Sequence, residues 1–155
     1  MRADQETLMK RRMISFIILF IITFIAMLVF IGLYVDETKR TQETYYIHYM
    51  ADLGNVSEDV DSYLNAEGDK DLRYVRIISD MSSADSFGFL LDRLDEDKKR
   101  TINELNTCIM KYPEQMRTEE KLTELKKSLD DIISELDQGY DEAKSLVNSI
   151  DKQGH

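Results

Sequence analysis

Nucleophilic or zinc chemistry would have to start from one cysteine, Cys108, and two histidines, His48 and His155. A thiol beside an imidazole is a nucleophile and base pair, and antiparallel helices can bring positions 48 and 108 together. Neither residue sits in a motif that orients a base, and no Gly-rich turn is available to stabilise an oxyanion. Three ligands scattered this widely also do not match the spacing of a zinc site, and one thiol cannot close an internal disulfide. A bridge between chains would require Cys108 on an outer face. Its place beside an apolar helical stripe instead reads as a small buried hydrophobe.

Oxygen ligands recur at alternate positions in Asn65-Ala66-Glu67-Gly68-Asp69-Lys70-Asp71. A calcium loop wants glycine at its sixth place and a bidentate glutamate at its twelfth. Here those places hold Lys70 and Arg76, so the stretch reads as a capped turn between helices. The acids Asp92, Asp95, Glu96 and Asp97 beside Lys98, Lys99 and Arg100 read as a solvated helical face with local ion pairs. Asn55-Val56-Ser57 matches a glycosylation acceptor in pattern, but it falls in a helical segment. No nucleophile, metal or phosphate motif remains. The expectation is a non-enzymatic protein with no cofactor and no small-molecule substrate.

One candidate site survives. Tyrosines supply contact area with a polar tip, and Tyr45-Tyr46-Ile47-His48-Tyr49 concentrates three of the eight in the chain. Tyr45, Tyr46, His48 and Tyr49 are the candidate partner-binding residues. Helical spacing turns Tyr46 and Tyr49 toward a core and leaves the others on its rim.

These residues must be held by helices, the first of which is the most distinctive segment of all. Met13 to Val35 reads MISFIILFIITFIAMLVFIGLYV, without a charge. As a helix it would be about 34 Å long, against a hydrocarbon core of about 30 Å. The run is longer than the apolar region of a secretory signal and ends without small residues suited to cleavage, so it reads as an uncleaved transmembrane anchor. It holds no charge for an ion path and no small-xxx-small glycine motif for tight dimerisation. Arg2, Lys10, Arg11 and Arg12 precede it, and Lys39 and Arg40 follow it. That bias predicts residues 1–12 as a cytoplasmic tail, 13–35 as the membrane span and 36–155 as an extracytoplasmic domain of a cell-membrane protein.

Beyond the anchor, 28 acids face 16 bases, a charge of −12. Such a surface repels phosphate backbones, so nucleic acid is excluded as a partner, and solubility explains the charge. Tyr46, Tyr49, Leu53, Val56, Val60 and Tyr63 recur at spacings of three and four, with a stop at Gly68. If residues 36–66 are continuous, this helix projects about 46 Å. A second stripe runs from Leu72 to Tyr112 and weakens at Ser82-Ser83-Ala84-Asp85-Ser86, where polar side chains favour a cap or kink. It is read as one bent helix or two, ended by Pro113. The last stripe runs from Leu122 to Ile150 as one helix, capped by Thr118, with Gly139 inside it marking a close helix contact.

The predicted fold is therefore all-α: a single N-terminal transmembrane helix followed by an antiparallel bundle of three helices, or four if the middle block divides. In topology alone this is similar to bitopic bacterial envelope proteins such as division-complex subunits, helical sensor ectodomains and phage lysis proteins, and no residue motif accompanies the likeness. The expected function is a membrane-anchored interaction or scaffold protein that binds another envelope protein or itself. The alternative is a sensor-type ectodomain that binds a ligand between its helices and signals through a separate partner.

Overall fold

The computed structural model describes residues 2–65 and 68–151, with side chains from residue 9 onward. Every regular element among the described residues is helical, and they contain no strand. The chain divides into two compact units, Met1–Thr41 and Gln42–His155. Helix α1 (Arg2–Leu64) contributes to both.

The described residues of the first unit are helix alone. Its large apolar side chains from Met13 to Val35 are 46–75% exposed. The hydroxyls inside this stretch bond back to the helix: Ser15 Oγ donates to the Arg11 carbonyl at 3.0 Å and Thr23 Oγ1 to the Leu19 carbonyl at 2.7 Å. By length and composition α1 carries one segment able to cross a membrane.

In the second unit α1 is followed by α2 (Lys70–Leu90), α3 (Glu96–Lys111), the short α4 (Pro113–Met116), α5 (Glu119–Ser134) and α6 (Tyr140–Ser149). The side-chain pairs fix the directions. Gln42 bonds to Leu90, Asp52 to Ser83 and Asp59 to Arg73, so α1 and α2 run antiparallel. Lys99 lies over Phe89, Asn103 bonds to Asp85 and Ile109 accepts from Tyr74, so α2 and α3 do likewise. The core lies among these helices, with Leu53, Ile77, Leu105, Leu125 and Val147 all fully buried.

Local chemistry explains each start. Asp69 accepts from the backbone N–H of Asp71 and Leu72, Asp95 from that of Lys98, and Thr118 from that of Lys121. Pro113 opens α4 at its first helical position, where its missing N–H is not needed.

Two expectations about the breaks need correcting. The serine-rich stretch 82–86 does not interrupt α2. Ser82 and Ser86 return their hydroxyls to the carbonyls of Ile78 and Ser82, and Ser83 spends its own on Asp52, so none competes for a backbone N–H. The middle block divides later, across residues 91–95, and this gives α2 and α3. Nor is the last block one helix. Gly139 has φ +79° and starts α6 instead of lying inside a helix. Among the described residues six helices thus stand where an anchor helix running into a three- or four-helix bundle was expected.

Gly139 also makes the close contact its position suggested. A Cβ there would lie 2.3 Å from the Ser128 carbonyl oxygen and 2.9 Å from Ile132 Cγ1. Only glycine meets both the left-handed backbone and the approach to α5.

Candidate functional site

The aromatic run on α1 is split by its helical geometry. Tyr49 is fully buried, and its hydroxyl shares a hydrogen bond with that of Tyr140 at 3.0 Å. Its ring lies against Gly88, where a Cβ would come within 3.0 Å of Tyr49 Cε2. Burial first, then Tyr140, raises the Tyr49 hydroxyl far above the usual tyrosine range. Burial also pushes Tyr140 up to about 12, against an opposing hydrogen bond from Tyr49. Both hydroxyls therefore stay protonated near neutral pH and hold α6 to α1.

Tyr45 and Tyr46 are half-buried and His48 is exposed. His48 stacks on Phe87 of α2 with centroids 4.8 Å apart and planes 14° from parallel, and Tyr45 tilts against the same ring at 6.1 Å. Tyr46 carries the Arg93 guanidinium 5.0 Å over its ring, and Arg93 Nη2 donates to Glu43 at 2.9 Å. The four sequence candidates do not share one surface. Tyr45 and His48 form a surface cluster with Phe87, Tyr46 belongs to a neighbouring cation–π contact, and Tyr49 lies in the core.

The other chemically capable residues stay apart. Cys108 is 1% exposed in α3, whereas His48 is out in solvent against Phe87. No nucleophile–base pair is assembled from them. The burial of Cys108 also withdraws it from bridging to another chain. His155 and the loop residues Ala66 and Glu67 lie outside the described residues. Of the loop acids, Asp69 is the cap of α2 and Asp71 pairs with Arg117 at 2.7 Å. Among the described residues no group of three His, Cys, Asp or Glu side chains is placed to hold a metal ion. Ser57, the third residue of the Asn55-Val56-Ser57 pattern, is buried in α1 and donates to Asp130 at 2.5 Å. Lys126 also donates to Asp130. These two bonds hold the Asp130 carboxyl below its ordinary range although burial opposes them.

A polar cleft of about 510 Å³ opens where the starts of α3 and α6 meet the loop after α5. Lys98 crosses it, paired with Asp137 and, at 3.6 Å, with Asp95, its ammonium 5.6 Å over the Tyr140 ring. The hydrogen bond to Asp137 is the main cause that raises the Lys98 pKa. A lysine held protonated has no lone pair, so this group serves as a structural cation near neutral pH.

Sequence reasoning missed Gln42. Its amide donates to the Leu90 carbonyl at 3.0 Å and its carbonyl accepts from the Asp92 N–H at 2.9 Å. Gln115 grips the Asp151 backbone in the same two-bond way at the far side of the chain order. Side-chain to backbone clamps across 50 or 36 residues leave no local signal. The chain matches no protein-family model, no curated protein and no solved structure.

Proposed function

We propose that this chain is a single-pass membrane protein whose helical extracytoplasmic unit, Gln42–His155, acts without catalysis by binding another envelope protein or a second copy. The observation that carries the reading is the apolar run from Met13 to Val35, whose large side chains are 46–75% exposed. Leaving about nineteen large apolar side chains in water would be strongly unfavourable, and a bilayer removes that penalty. The return of Ser15 and Thr23 hydroxyls to helix carbonyls supports it, because polar groups in hydrocarbon must be satisfied from within. Tyr34 stands at the end of the run, where aromatic residues favour the membrane–water interface.

The flanking cations support a cytoplasmic N-terminus, with Lys10, Arg11 and Arg12 directly before the run. The buried core supports an interaction role over a ligand sensor, since the clefts described on the second unit are open to solvent and not enclosed between helices. The surface cluster of Tyr45, His48 and Phe87 is the recognition patch in this reading.

The test is a photocrosslinking residue in place of His48, in the full chain in native membranes. One discrete adduct, with the chain resisting alkaline carbonate extraction, is the expected result. Release by carbonate would overturn the anchor, and adducts no different from those of a probe at exposed Lys127 would overturn the patch.

A further inference from the structure

The second unit has a second, different surface feature at the end that contains Gln42. α2 stops there, and its last two residues point outward: Phe89 is 70% exposed and Leu90 45%. Phe89 is the most exposed large apolar side chain among the described residues of that unit. The tip cannot fold these side chains away, because Gln42 pins the Leu90 carbonyl and the Asp92 N–H from α1. Lys99 stands 5.7 Å over the Phe89 ring, and Arg100 lines the same groove.

Two further facts choose the occupant. Gln42 follows Val35, the last residue of the apolar run, by seven residues, which is about 10 Å of helix and at most about 25 Å of extended chain. The tip is therefore tethered within reach of the interfacial layer, which extends several ångströms beyond the hydrocarbon. Charge agrees. Residues 42–155 carry 26 acids against 14 bases, yet residues 92–100 carry four of each. The tip is a neutral patch with an exposed aromatic and flanking cations on a unit whose net charge is strongly negative, so lipid headgroups meet no excess negative charge there.

We propose that Phe89 and Leu90 form an interfacial foot that rests in the headgroup layer of the bilayer crossed by the anchor. This rests on the anchor reading given above. The foot works as aromatic belts do, with an apolar ring at the acyl boundary and cations beside it. It gives the unit a second point of attachment and so limits how far it tilts away from the membrane.

The chain contains no tryptophan, which makes single-tryptophan variants direct reporters. Phe89→Trp, Leu72→Trp and Phe24→Trp would each be placed in the full chain, reconstituted in phosphatidylcholine vesicles with acyl chains brominated near the headgroup or, for Phe24→Trp at the middle of the apolar run, near the chain ends. Leu72 is the control, 52% exposed in the first turn of α2 at the other end of that helix. The foot predicts that Phe89→Trp loses emission to bromine and shifts to the blue, whereas Leu72→Trp does neither and is quenched by aqueous iodide. Emission from Phe89→Trp that follows Leu72→Trp in both quenchers overturns the foot. So does a blue shift that disappears on dilution of protein in lipid, which would assign the patch to a second copy. Phe24→Trp separates the two readings. If it too escapes bromine the anchor has failed, and if it alone is quenched only the foot has.

Discussion

Two glycines in this chain have opposite roles, and their contexts predict opposite responses to the same substitution. Gly139 combines φ +79° with a carbonyl oxygen 2.3 Å from where a Cβ would stand. Gly139→Ala should destabilise the chain by at least ~2 kcal/mol, from left-handed strain plus the displacement of α5 backbone. Gly54 lies inside α1 with nothing within 4 Å of a Cβ. Gly54→Ala should stabilise by about 0.5–1 kcal/mol, since it only removes unfolded-state freedom. Urea unfolding of the full chain in detergent, followed by helical circular dichroism, reads both. The buried tyrosines make a pH prediction at the same scale. Burial raises Tyr49, Tyr74 and Tyr140 above their unfolded value, so the folded chain holds protons that the unfolded chain releases. Their contribution is constant below pH ~10, and stability falls as pH rises through that value. In an alkaline titration of phenolate absorbance these three should ionise together with the loss of helical circular dichroism.

Among the elements, α5 is the clearest test of packing. Leu122, Leu125, Leu129 and Ile132 are all fully buried on one stripe. Leu129→Asp should cost about 3–5 kcal/mol by placing an unpaired carboxylate in the core, whereas Lys127→Asp on the exposed side should stay within about 0.5 kcal/mol. Unchanged unfolding in Leu129→Asp would refute the packing. That stripe was legible in the sequence because three- and four-residue spacing records which face is buried. The helix starts at Thr118 and the turn at Gly68 were legible too, since caps and positive-φ positions select particular residues. The breaks were less so. Serines at 82–86 look like a cap until their hydroxyls are seen to bond backward along the helix and across to Asp52. The real division at 91–95 is set by Asp95 and by the Gln42 clamp, a partner 50 residues away. Within the candidate site, spacing correctly gave the burial of Tyr49 but not the assignment of Phe87 to His48, because only the antiparallel pairing of α1 and α2 brings those rings together.

At the scale of the whole molecule the proposed topology rests on a small imbalance of charge, and that makes it easy to reverse on purpose. Arg2, Lys10, Arg11 and Arg12 precede the apolar run and Lys39 and Arg40 follow it. Changing Lys10, Arg11 and Arg12 to glutamine leaves one cation before the run and two after it. The acids Asp36 and Glu37 contribute little, because orientation follows Lys and Arg and not net charge. The unaltered chain should expose its second unit to protease added outside intact cells. In the triple variant a substantial share of that unit should become protected until the cells are opened. Its fold should survive inversion, because its core is closed by its own helices, and its single thiol, Cys108, forms no disulfide that would depend on the compartment. Protection of the second unit in the unaltered chain would reverse the orientation while leaving the anchor intact. Identical exposure in both chains would mean that something other than the flanking cations sets the direction of insertion.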